Sequence, residues 1–218
     1  MMRIVYCLLF LLSAQVIRAQ KIDADLIRIK QRMDSVKHFS ATVTLDLDVP
    51  FIRMPTKKAQ IKYTKGSRMK FSSQDFVMLP KRGLDFSMNE IFKHPFITVD
   101  RGQEKRNGKT LKVINVIPTD AQSDLVLVTL YMDARASRIM ESEINTRKDG
   151  SYTLLMQYAA ANNILPNYVE AAFAIERLKI PFNFMGKDTK IDRKKMRSMD
   201  TKTGKIKMRL SNYDIKLG

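Results

Sequence analysis

Cysteine is almost absent from this chain: Cys7 is the only one in 218 residues. A fold built on such a sequence is held by burial rather than by disulfides. Histidine is nearly as scarce. His38 and His94 are the only two, and neither stands at metal-ligand spacing from another donor. Gly-x-Ser-x-Gly, Ser-x-x-Lys and a glycine-rich phosphate loop are all missing, which removes the common hydrolase and nucleotide-binding signatures. No Pro/Ser/Gly linker or low-complexity tract divides the chain, so a single domain with a substantial core is expected. Acid is in deficit, with 22 acidic residues against 39 basic ones and a formal charge of +17.

The longest early apolar run, residues 4–12, is shorter than the roughly 20 residues needed to span a bilayer. Arg3 precedes it and the small residue Ala19 follows it, the layout of a secretory leader cut at Ala19–Gln20. The expectation is therefore a leader over residues 1–19 and a domain over 20–218, exported to the periplasm. Cys7 sits inside the apolar run and leaves with the leader, so no thiol remains for nucleophilic catalysis or zinc. The leader takes only Arg3 and Arg18 with it, and the excess of positive charge persists. In the cytoplasm that excess points to nucleic acid. Outside it, the polyanions are lipid headgroups and acidic glycans, so an anionic membrane surface replaces nucleic acid as the expected partner. A solubilising surface is the plainer alternative.

After the leader, Ile22, Leu26, Ile29, Met33 and Val36 recur at helical steps, with Asp23 or Asp25 placed to favour the first turn. His38 is read as the end of that helix. The period then drops to two. From Phe39 to Val49 every odd position is apolar and every even one polar, the signature of a strand with one buried face. Similar segments follow at residues 59–65, 69–71, 110–117, 125–132, 138–146, 152–158, 169–180 and 206–217. Arg106-Asn107-Gly108-Lys109, Asp133-Ala134-Arg135-Ala136 and Lys148-Asp149-Gly150 serve as turns. The alternation slips by one at Ser211-Asn212, which predicts a β-bulge. Roughly nine to eleven strands in succession give a large antiparallel sheet rather than a βαβ fold.

Two stretches break the rhythm. Residues 76–96 are apolar and irregular, with a short helix predicted from Ser87, as its N-cap, to Lys93. Residues 185–205 are polar and basic and read as a solvated excursion. Within that excursion Lys190, Arg193, Lys194, Lys195 and Arg197 form a candidate basic surface. Large adaptable side chains near the early strands, Val43, Leu45, Leu47, Tyr63, Met69, Phe71, Phe76, Met78, Leu79 and Phe92, are candidates to line an apolar site. Ordinary core packing is the competing reading for each of them. Phe51 and Ile52, between Pro50 and Pro55, either cap the core or form a mouth or a membrane or partner contact. Glu141 and Glu143 share a strand face, an arrangement that can serve glycoside hydrolysis and is more often solvated. No catalytic, metal or cofactor site is expected.

The order of segments resembles the LolA/LolB-like periplasmic lipoprotein carriers, the outer-membrane lipoprotein-sorting family. The residues that carry the resemblance are the helix leading into Phe39-Ser-Ala-Thr-Val-Thr-Leu, the pair Ile61-Lys-Tyr-Thr-Lys-Gly-Ser-Arg-Met-Lys-Phe71, and Leu111-Lys-Val-Ile-Asn-Val-Ile-Pro118. Leu130-Tyr-Met-Asp133, residues 139–143 and Gly204-Lys-Ile-Lys-Met-Arg-Leu-Ser-Asn-Tyr213 complete it. The resemblance implies a mainly β fold with helices (α+β), a large curved antiparallel sheet forming an unclosed β-barrel wrapped around lid helices. It further implies a monomeric carrier without cofactors, whose cavity holds lipid or lipoprotein acyl chains and which meets donor and acceptor proteins at the membranes. The carriers' lid-locking arginine has no clear counterpart here. A non-catalytic envelope sensor or scaffold that binds a protein partner is the alternative.

Overall fold

Leu26 and Ile29 lie one helical turn apart and are fully buried, so burial fixes which face of the first helix points inward. The computed structural model describes residues 22–67, 69–72, 88–148, 150–175 and 188–218. In it α1 spans Ala24–Asp34, and the Asp23 carboxylate caps it by accepting from the Asp25 and Leu26 amides at 2.9 and 3.2 Å. The helix is shorter than the apolar spacing predicts. Val36 and His38 belong to the following strand, where they pair with Leu217 and Thr64; ladder hydrogen bonds claim them before the helix can. The leader, residues 1–19, lies outside the described residues.

Twelve strands follow among the described residues. β1 (Val36–Asp48), β3 (Lys57–Thr64), β4 (Lys70–Ser72), β5 (Phe96–Arg106), β6 (Lys109–Pro118) and β7 (Leu125–Asp133) join the main sheet. So do β8 (Arg138–Thr146), β9 (Ser151–Gln157), β10 (Tyr168–Ile175) and β12 (Lys202–Leu217). Their order is β4-β3-β1-β12-β10-β9-β8-β7-β6-β5, antiparallel throughout, with β4 and β5 at the two edges of an unclosed sheet. β1 alternates buried and half-buried positions as its sequence predicts. The expected bulge is present. The β1–β12 register shifts between the Ser40–Asp214 and Thr42–Ser211 pairs, and Asn212 takes a left-handed backbone with φ 53°.

β5 was not predicted. Its middle, Asp100 to Lys105, is exposed, and its register breaks between Asp100 and Gln103, where Gly102 has φ +83° and its amide donates to Asp100. An edge strand with neither face buried shows no alternation to read. The second helix, α2 (Asn89–Phe92), begins at Met88 rather than Ser87; Met88 is left-handed, and Ser87 lies outside the described residues.

The basic excursion is more ordered than a solvated loop. β11 (Lys190–Ile191) pairs with β2 (Ile52–Arg53), and α3 (Arg193–Ser198) follows, capped by the Asp192 carboxylate. Met196, Met199 and Ile191 cover Val49, Phe51 and Ile52. Phe51 is 1% exposed and Ile52 5%. They cap a small second core, which corrects the expectation of an exposed mouth or contact at these two side chains.

Candidate functional site

α1 lies across the inner face of the sheet and is tied at both ends. At its start the Asp23 amide donates to Thr98 Oγ1 at 2.9 Å, and Lys112 Nζ reaches the Asp23 and Asp25 carboxylates at 2.6 and 2.8 Å. In its last turn Arg32 donates to the carbonyls of Ala136, Asn162 (2.8 Å) and Asn163 (3.2 Å). These bonds hold the helix on β5 and β6 at one end and on the β7–β8 and β9–β10 connections at the other.

A cavity of about 270 Å³ lies beneath it, just below the volumes of roughly 300–1,000 Å³ common for small-molecule sites. Ile29 and Met33 of α1, Ile91 of α2 and Met88 face it from one side. Val128 of β7, Ile139 and Ile144 of β8, and Leu154 and Met156 of β9 face it from the other. The apolar character follows from the period-two pattern of these strands, whose inward positions are aliphatic.

Its charged lining, with part of its polar lining, gathers at one end. Glu90, Lys93, His94, Gln122, Ser123, Asp124, Thr146 and Lys148 all border the cavity. The connections that carry them are bound to each other: Thr119 N donates to Pro95 O, Arg147 N to Asp124 O, and His94 Nδ1 sits 2.8 Å from Asp120 Oδ2. The Gln122 amide, followed by His94, holds the Asp120 carboxyl below the usual carboxylate range. Charges of both signs are therefore placed where an amphiphile's head could meet them, with an apolar wall beyond.

Among the described residues, none of those predicted to line the site borders this cavity. Val43 and Leu45 are sealed in the main core, and Leu47, Tyr63, Met69 and Phe92 pack against it. Phe39 stacks on Tyr63 at 5.3 Å, filling the space between β1 and β3. Phe71 is on the outermost short strand and is exposed. Phe76, Met78 and Leu79 lie outside the described residues. The sequence offers no direct sign of the cavity's position, because an inward aliphatic side chain reads the same whether it meets another side chain or empty space.

The outer face carries the carboxylate pair. Glu141 and Glu143 do share a face, but Arg106 reaches between them, donating to Glu141 Oε1 at 2.6 Å and to the Tyr131 hydroxyl at 2.7 Å, with Glu143 at 3.4 Å. Tyr131 donates to Glu143 at 3.0 Å, and the Arg106 guanidinium lies 3.8 Å above its ring. Burial and the Glu143 hydrogen bond push the Tyr131 phenol up to about 12. Burial is also the main cause that raises the Glu141 carboxyl. Both carboxylates are engaged in one cross-strand network, which explains their spacing without a substrate between them.

Lys190, Arg193, Lys194, Lys195 and Arg197 are all exposed, on β11 and α3. Beside them the Lys57 ammonium, on a side chain only 2% exposed, pairs with Asp188. Among the described residues no group of three or more His, Cys, Asp or Glu gathers as a metal site.

Fold and site together define an unclosed antiparallel half-barrel with a helix laid across its inner face and an apolar cavity under that helix. Solved structures similar to this chain include a domain from Vibrio parahaemolyticus named as an outer membrane lipoprotein-sorting protein, at 14% identity and TM-score 0.46, covering 88% of this chain and 92% of that one. A LolA superfamily protein from Nitrosomonas europaea is 9% identical, with TM-score 0.46, over 88% of this chain and 93% of that one. A DUF1329 family protein from Desulfovibrio piger is 10% identical, with TM-score 0.47, over 92% and 95%. The likeness is one of fold. No family model and no curated protein matches the chain.

Proposed function

We propose that this protein is an exported carrier or binding protein for lipid acyl chains, which it takes into the cavity between α1, α2 and strands β7 to β9. The observation that carries this reading is the lining: aliphatic and methionine side chains along most of its length, with the charged residues confined to one end. Methionines 33, 88 and 156 add flexible thioethers suited to chains of variable shape. In this reading the leader over residues 1–19 directs the chain to the periplasm, and the chain acts as a monomer without a cofactor. The exposed lysines and arginines of β11 and α3 attract it to anionic headgroups, and donor and acceptor proteins meet it at the membranes.

The test is native mass spectrometry of the exported protein purified without detergent, with lipid extraction of the same sample. A bound mass that leaves as acyl lipid supports the carrier. A clean empty mass that also takes up no added fatty acid or lipopeptide overturns it and favours a sensor or scaffold that binds a protein partner. Ile144→Trp, which fills the cavity from its half-buried wall, is expected to abolish lipid retention while the protein still folds.

A further inference from the structure

One hydroxyl in the cavity wall stands among hydrocarbons. Ser142 lies in the middle of β8, is 4% exposed, and borders the cavity. Its ladder neighbours are Leu130 on β7 and Leu154 on β9. Ile139 and Ile144 of its own strand border the cavity on either side of it. Ser123, Thr146 and Tyr158, which border the same space, donate their hydroxyls to the carbonyls of Leu125 (3.2 Å), Gly150 (2.8 Å) and Ile139 (2.9 Å). Ser142 Oγ makes no hydrogen bond among the described residues. Its Oγ is not among the sealed polar atoms of the fold but stays open to the cavity, so a molecule that enters the cavity meets it.

Depth narrows what the hydroxyl can meet. Four residues along β8 separate Ser142 from Thr146 at the polar end, about 13–14 Å at the rise of an antiparallel strand. A ligand whose head rests among Lys148, Asp124 and His94 therefore brings the middle of its chain, not its head, to Ser142.

Resting on the lipid reading above, we propose that Ser142 Oγ is the hydrogen-bonding partner of an oxygen carried part-way along an acyl chain, so that the cavity prefers hydroxylated acyl ligands to plain ones. The serine thereby accounts for a polar group that the empty protein has no use for. It acts on selection among ligands of similar length, while the aliphatic wall supplies the affinity common to all of them.

The experiment compares ricinoleate, which carries an in-chain hydroxyl, with oleate, which lacks it, and with mono-olein, whose ester lies beside the head. Each displaces a fluorescent apolar probe from the full chain and from Ser142→Ala and Ser142→Cys. The wild type is expected to favour ricinoleate over oleate by roughly tenfold, the scale of one net hydrogen bond. Ser142→Ala removes that preference and keeps oleate affinity; Ser142→Cys, a weak donor of similar size, keeps part of the preference. An unchanged ricinoleate-to-oleate ratio in Ser142→Ala overturns the assignment of Ser142 while leaving the cavity a lipid site. A loss confined to mono-olein overturns the in-chain position. Failure of all three ligands to bind the wild type overturns the lipid reading itself, and this inference with it.

Discussion

On β1, β3 and β12 the inward side chains meet one another, whereas on β7, β8 and β9 several of them also border a cavity. Val43 and Leu45 pair across the ladders with Ala59, Leu210 and Met208, all of them buried. Phe39, Tyr63 and Tyr213 close the same region, with ring centroids 5.3 and 6.0 Å apart. The other half uses the same kinds of residue, Val128, Ile144, Leu154 and Met156, yet these border the cavity. Residue type does not distinguish the halves. What differs is the object packed against each: aromatic rings on one side, and on the other α1, held at its own distance by Arg32 and Lys112, with α2 beside it. A void is thus a property of how the helix is tethered, not of the strand beneath it.

Tryptophan placed in each half gives the largest contrast. Val43→Trp must overpack a filled core and is expected to cost well above the roughly 1–3 kcal/mol typical of added methylenes, to the point of unfolding. Ile144→Trp enters existing space and is expected to cost less than about 1.5 kcal/mol while displacing lipid. Urea denaturation of both variants, read by circular dichroism, decides the matter; equal destabilisation would mean that the halves do not differ in packing. Gly204→Ala ranks next. A Cβ there would lie 2.5 Å from Val49 Cγ2 and 2.8 Å from Phe173 Cζ, with the Asp48 carbonyl at 3.2 Å. The expected cost is about 2–3 kcal/mol in the same assay, since two packed side chains and a strand must yield.

Much of the filled half was legible in the sequence, and the hollow half was legible only as strands. The alternation of residues 39–49 fixes the face of β1, and the phase slip at Ser211-Asn212 marks the bulge in β12, because both are local consequences of a period of two. The pairing of β2 with β11 joins residues more than a hundred positions apart over two residues each, and no local pattern announces it. Hence Phe51 and Ile52, apolar between prolines, read equally well as a contact or a cap. Ser142 left a faint trace: it is a polar residue between the two inward isoleucines of its strand, Ile139 and Ile144. The trace was obscured because the register slips between the Tyr131–Glu141 and Met132–Ile139 pairs and reverses the strand's phase.

The clasp between Lys57 and Asp188 sharpens the contrast by a smaller margin. Lys57 points inward with Ala59 and Ile61, so its ammonium is buried, whereas Asp188 is half exposed. Removing one partner is therefore asymmetric. Asp188→Asn leaves a buried cation without its counter-charge and is expected to be the more costly of the two. Lys57→Met leaves only a carboxylate that water can solvate, and its cost is expected to be smaller. Thermal melts in the order wild type, Lys57→Met, Asp188→Asn support the account, and the reverse order would refute it.

The smallest effect lies on the outer face, where the two halves respond to pH in opposite directions. On the filled side Lys205 hydrogen-bonds Glu170 at 2.8 Å and, with the Tyr168 hydroxyl, lowers its carboxyl from the usual value of 4.5. Below that value the unfolded chain binds the proton first, so this contribution is full above about pH 4.5 and is lost as pH falls through the lowered folded value. On the hollow side burial raises Glu141 despite the Arg106 guanidinium. There the folded chain binds the proton first, and stability falls as pH rises from 4.5 through the raised value. Glu170→Gln is accordingly expected to lower stability at pH 7 by an amount within the 0.2–1 kcal/mol or so of partly exposed pairs, and to flatten the acid limb. Glu141→Gln removes a carboxylate that the fold disfavours when ionised, and should reduce the loss between pH 4.5 and neutrality. Urea midpoints for the two variants from pH 3 to pH 7 give the comparison, and slopes of the same sign would show that the outer faces are electrostatically alike.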